Sequence, residues 1–241
     1  EFGEDEYNDR FDAALQKLAE AQEAYRNALT VFDFATAPLD CAWLHYYRAD
    51  ALTELARHSG SRRQLAAAAL ASRQAARVLV RKTHPLVWAD IQCSLAEVLS
   101  DLADSSRDAD SVKLLRQAAQ ACNHALQVYT QKDHAPGWGF AQATLAVVLY
   151  GLGCRDAGAS GLKHLKHAEQ AADAALQVTT QAAMPVRWAG LHRALAMIKL
   201  EQSGRLRGQD STQALKDAER HALRAVAGPR EDPSTWAWGQ T

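Results

Sequence analysis

Residues Pro85 to Leu99 read PLVWADIQCSLAEVL, and the same wording returns through the chain. It stands as PLDCAWLHYYRADAL from Pro38, PGWGFAQATLAVVL from Pro136 and PVRWAGLHRALAMIKL from Pro185. A shortened copy, PSTWAWGQT, starts at Pro233, and the five prolines are 47, 51, 49 and 48 residues apart. A period of that size indicates a repeat architecture. Within the copy from Pro85, Ile91, Leu95, Val98, Leu99 and Leu102 recur at helical spacing and fall on one face. Such a helix needs its neighbours to bury that face.

Outward from this stretch, each unit divides into two helices. The first (A) opens at the proline, whose fixed φ and missing N–H suit a first turn. The second (B) is rich in alanine, and polar breakers part the two: HSGSR from His58, DSSRDADS from Asp104, CRDAGASG from Cys154 and SGRLRGQD from Ser203. Ser111 and Ser211 are expected as N-caps or first-turn residues. The spacing predicts helices over 39–57, 63–82, 86–103, 110–131, 137–152, 160–181, 186–203 and 211–227. A solitary helix from about Asp5 to Phe34 precedes them; its end, ALTVFDFATAP, matches the B-helix ends. The organisation expected is one array: a half repeat over 5–37, repeats over 38–84, 85–135, 136–184 and 185–232, and the start of another over 233–241. Neither end of the chain reads as a finished cap, and the Glu1-Phe2 start without methionine reads as a cloning remnant.

Composition narrows the function. The chain has 241 residues, 27 basic and 28 acidic side chains and a formal charge of −1, so the basic footprint of a nucleic-acid or anionic-membrane binder is missing. No uninterrupted apolar run nears 18 residues and no signal-peptide pattern opens the chain, so neither a membrane span nor a leader is expected. Four cysteines, Cys41, Cys93, Cys122 and Cys154, lack CxxC pairing. They are expected to be reduced and mostly buried, in keeping with a cytoplasmic location.

Leu95-Ala96, Leu145-Ala146 and Leu195-Ala196 each follow Trp88, Trp138 and Trp188 by seven residues, and Ala125, Ala175 and a closing proline mark the B side. This pattern resembles the tetratricopeptide repeat (TPR), most closely its longer bacterial variant with Pro-Leu-x-Trp-Ala units. The resemblance covers nearly the whole chain. It departs in its period, near 49 where the common repeat has 34, and in alanine at the usual glycine. The first repeat has Arg48-Ala49 for the Leu-small pair and Cys41 for the tryptophan. The resemblance implies an all-α fold: a right-handed α-solenoid of antiparallel helix pairs.

The sequence offers no phosphate-cradling glycine loop, nucleophile elbow or HExxH, so no catalytic residues, cofactor or metal are expected. His164 and His167, at i,i+3, read as a solvated face beside Lys163 and Lys166. Trp88, Trp138 and Trp188 read as packing at the helix starts. In the resembled family, ligands lie in the concave groove lined by A-helix residues off the packing stripe. Alignment on the Leu-small pair puts Trp43, Tyr46, Asp50 and Glu54 there from the first repeat, and Asp90, Cys93, Glu97 and Asp101 from the second. The third gives Phe140, Val147 and Tyr150, and the fourth Arg193, Met197 and Glu201. The first half is thus acidic with aromatics and the second apolar. The lysine and asparagine pairs of chaperone-binding relatives are missing, which argues against a C-terminal carboxylate as ligand. The function expected is a non-enzymatic protein-interaction module for a basic or apolar peptide or protein segment. Two other readings remain: a regulatory sensor array within a larger bacterial protein, and a structural module that self-associates through its open ends.

Overall fold

A computed structural model describes residues 4–104 and 109–227, with side chains from Arg10 onward and excluding 109. The repeat start over 233–241 therefore lies outside the described residues, as do 105–108 of the breaker from Asp104. Among the described residues the chain is all-helical, with α1 (Glu4–Ala28), α2 (Pro38–Ser59), α3 (Arg62–Ala75), α4 (Pro85–Asp104), α5 (Ala109–Ala125), α6 (Ala135–Arg155), α7 (Gly158–Leu176), α8 (Pro185–Ser203) and α9 (Gly208–Ala227).

Each helix packs on the next in sequence, and the A helices also touch one another, α2 on α4, α4 on α6 and α6 on α8. The B helices make no contacts of similar extent among the described residues. The stack is therefore open, with the A helices on its closer-packed side. Its core runs unbroken between repeats: Leu52, Leu65, Leu99, Leu115, Cys122, Val148 and Leu152 belong to one buried cluster spanning α2 to α6. Buried alanines such as Ala68, Ala96, Ala118 and Ala146 let the backbones approach closely enough for the leucines to interlock.

The A helices start where the prolines predict. The B helices end earlier than expected, at Ala75, Ala125 and Leu176, and α1 ends at Ala28 and not near Phe34. After Ala75, Ala125 and Ala175 the ladder tightens to three-residue spacing, with the N–H groups of Val78, Val128 and Val178 donating to those three carbonyls. This turn tucks Leu79, Tyr129 and Thr179 inward, where they are buried. The apolar pattern thus continues beyond the helix and makes it look longer. The turn is stitched to its successor by side chains: Arg81 donates to Gln127 (2.7 Å) and Gln131 to Gln177 (3.0 Å).

Serines at the B-helix starts take different roles. Ser61 caps α3, its Oγ accepting from the Gln64 N–H at 3.3 Å. Ser111 and Ser211 sit in first turns; Ser111 Oγ accepts from Arg155 Nε at 3.2 Å, and Ser211 Oγ donates to the Ser203 carbonyl at 2.9 Å. The cysteines are free, with Cys41, Cys93 and Cys122 buried and Cys154 exposed. One finding departs from the composition reading. Helix α6 is long and apolar enough, by length and composition, to cross a membrane. In this fold it packs against α4, α5, α7 and α8.

Candidate functional site

The A-helix face carries two differently built halves. In the first, α2 and α4 bring carboxylates together from neighbouring turns. Arg57, from the end of α2, sits among them: its Nη1 is 2.5 Å from Glu54 Oε1 and its Nη2 is 3.0 Å from Glu97 Oε2. Burial opposes the Arg57 charge, but Glu97, Glu54 and Asp101 together raise its pKa. Asp50 has no such counter-ion; its nearest polar partner is Ser94 Oγ, donating at 3.4 Å. Burial pushes the Asp50 carboxyl up to about 6, with Asp90, Glu54 and Glu97 adding to the rise. Asp101 and Glu97 are raised too, each first by burial. Asp90 accepts a short hydrogen bond from the Tyr129 hydroxyl.

Aromatic rings border these carboxylates. Trp43 stacks near Tyr47, with centroids 5.8 Å apart, and meets Tyr46 edge-on at the same separation. Burial and then Asp50 and Asp90 raise the Tyr46 phenol, which keeps it protonated.

In the second half, Phe140 of α6 lies half-buried beneath the Arg187 guanidinium, whose Cζ is 5.2 Å from the ring centroid. Beyond it a cavity of about 670 Å³ opens between α6 and α8. Val147 and Met197 form its apolar walls, and Tyr150, Arg193 and Glu201 its polar rim. The cavity opens where a face position of α8 is glycine. Gly190 of α8 occupies the place that Phe140 fills in α6, and a Cβ added there would meet nothing within 4 Å. Gly151, in the place of Asp101, also lines the cavity, but a Cβ there would press on Leu115 at 3.2 Å. Glu201 is neutralised by Arg205 at 2.9 Å, and Asp104 by Arg155 at 3.3 Å. Arg193 is exposed and has no hydrogen bond or ion pair among the described residues. Tyr150 shares a hydrogen bond with Cys154, and burial followed by that bond raises it to about 12.

The sequence-selected residues therefore fall into two groups. Trp43, Tyr46, Asp50, Glu54, Asp90, Glu97 and Asp101 meet on α2 and α4, while Val147, Tyr150, Arg193, Met197 and Glu201 meet at the cavity. Cys93 is a correction: it is buried with Ala125, Tyr129 and Ala141 and does not reach the face. Its helix turn faces the following repeat, whose small residues leave room only for a small side chain. Sequence reading missed Arg57, Arg187 and Tyr129. Glu54 and Arg57 at i,i+3 gave a usable hint for the first. Tyr129 reaches Asp90 from the far end of its own repeat and Arg187 reaches Phe140 across repeats, at spacings that only the packing fixes.

Two histidines meet at one place. His192, buried on α8, has Nδ1 2.8 Å from His221 Nδ1 on α9. Burial, then His221 and Arg224, lower His192 to about 4. His164 lies 3.2 Å from Asp156, and no group of three or more metal-ligating side chains occurs among the described residues. No family model, curated protein or solved structure matches this chain.

Proposed function

We propose that this chain is a non-enzymatic interaction module, a right-handed TPR-like solenoid whose A-helix face is the concave groove for an extended peptide segment of a partner protein. The observation carrying this reading is the cavity between α6 and α8, where five residues selected as groove-lining by sequence register converge on one space. A partner side chain of aliphatic or aromatic type fills that space, with Arg193 facing a neighbouring acidic or backbone oxygen. The uncompensated Asp50 carboxyl, in the other half, favours a basic residue on the same segment. The repeat resemblance, the absence of a convergent catalytic set in the sequence and the cytoplasmic expectation all accord with this role.

Selection from a displayed random peptide library tests it. Enriched sequences share an apolar residue at a fixed distance from a basic one, and they are lost with Gly190→Leu. That substitution fills the cavity, and replacing a helical glycine should raise stability by about 0.5–1 kcal/mol. Enrichment of nothing, or of peptides that bind Gly190→Leu equally well, contradicts the reading.

A further inference from the structure

Helix α9 keeps the register of the earlier B helices at an offset of 50 residues. Gly208 repeats Gly158, both at positive φ, and Leu215, Ala218, Ala222 and Ala225 repeat Leu165, Ala168, Ala172 and Ala175. In α7 those positions are sealed by the A helix that follows: Leu165 and Ala168 cluster with Ile198, and Ala172 and Ala175 with Leu191 and Leu195. Leu65 and Leu115 are buried at the same register position. In α9, Leu215 is 48% exposed where Leu165 is 0%, and Ala222 lies open. Val226, at the position of half-buried Leu176, is 81% exposed. The face is thus a mould for an A helix, with none on it among the described residues.

We propose that this face is the docking surface for the chain's own segment from Pro233. The segment opens PSTWA, and Pro233, Trp236 and Ala237 repeat Pro185, Trp188 and Ala189. These residues lie outside the described part of the chain. Continuity is the first support: the contact would repeat one that α3, α5 and α7 already make with α4, α6 and α8. Reach is the second. Ala225 and Pro233 are eight positions apart against ten between Ala175 and Pro185, and eight residues span up to about 26–29 Å. Supply is the third. Helices α2, α4, α6 and α8 are each packed between two B-type helices, so among the described residues there is no free A helix to fill the face, whereas the segment from Pro233 carries the sequence pattern of one. A docked indole would extend the apolar core by one layer over Ala222, Ala225 and Val226.

The test uses the full chain with Cys154→Ser, which removes the exposed thiol, and Ala222→Cys, which places one on the face. The thiol should react with a maleimide at least about tenfold more slowly than in the same protein carrying Trp236→Asp. Helical content and melting temperature, followed by circular dichroism, confirm that both proteins are folded. Val226→Cys repeats the comparison should Ala222→Cys disturb α9. Equal, rapid labelling with and without Trp236 overturns the proposal. So does protection that grows with protein concentration, which would mean that a second copy covers the face.

Discussion

The two halves of the A-helix face share a packing stripe and differ in nearly everything beside it. Ile91, Ala141 and Leu191 occupy one buried register position, and Val98, Val148 and Ile198 another. A few residues away, α2 and α4 crowd carboxylates around one arginine, while α6 and α8 open a cavity with apolar walls and an uncommitted arginine at its polar rim. The stripe is constrained by its neighbours on both sides, whereas the face is partly open to solvent and tied to the fold mainly at the Arg57 ion pairs. The stripe can therefore stay alike from repeat to repeat while the face varies, and under the proposed function the difference between halves would carry the specificity.

The sharpest break of this comparison is between adjacent residues on α8. Ile198 is buried against Leu165 and Ala168, so Ile198→Ala should cost about 2–4 kcal/mol. Met197, one residue earlier and half-exposed, should cost under about 0.5 kcal/mol when changed to Ala. Thermal melts read the difference, at roughly 2–4 °C per kcal/mol for a chain of this size. Equal losses would mean that the face is part of the core. Arg57→Ala should follow, at about 1.5–3 kcal/mol, because it leaves Glu97 desolvated without its charged hydrogen bond. The same ion pair makes Glu97 a poor site for charge reversal, since Glu97→Lys would damage the fold as well as the face.

The halves should also respond to pH in opposite directions. Asp50 has a folded pKa of about 6, above the ordinary carboxylate value, so its contribution is present in acid and lost as pH rises through about 6. Asp50→Asn should therefore stabilise by about 1–2 kcal/mol at pH 7 and by little at pH 4. His192 has a folded pKa of about 4, below the ordinary imidazole value, so its contribution is present above about pH 6.5 and lost as pH falls toward 4. The groups facing the pair, Lys199, Arg220, Arg224 and Asp217, are mostly cationic and reinforce that sign. His192→Gln should flatten the acid limb of a denaturation series, while Asp50→Asn flattens the neutral one. Matching slopes in both variants would remove the electrostatic contrast.

The sequence made the A helices legible because their stripe has a local period and a proline at the first turn. The B-helix ends were less so: Leu79, Tyr129 and Thr179 are buried just past the last helical turn, and burial alone reads as more helix. The face positions followed from register, and most kept partial or full exposure. Cys93 did not, because its burial depends on how closely α4 meets α6. The cavity was hidden for a related reason. It opens at what Gly190 lacks, and only the spacing between repeats turns a missing side chain into a volume.

The most direct measurement is calorimetric titration of a library-selected peptide into three folded proteins: the unchanged chain, the cavity variant Arg193→Glu with Met197→Asp, and a B-helix control, Lys113→Glu with Lys163→Glu. All four sites are exposed, so the melting temperatures should agree within a few degrees. The account predicts at least about a tenfold loss of affinity, or about 1.4 kcal/mol, in the cavity variant and none in the control. Undiminished binding by the cavity variant, or a loss confined to the control, would contradict the assignment of the A-helix face as the binding groove.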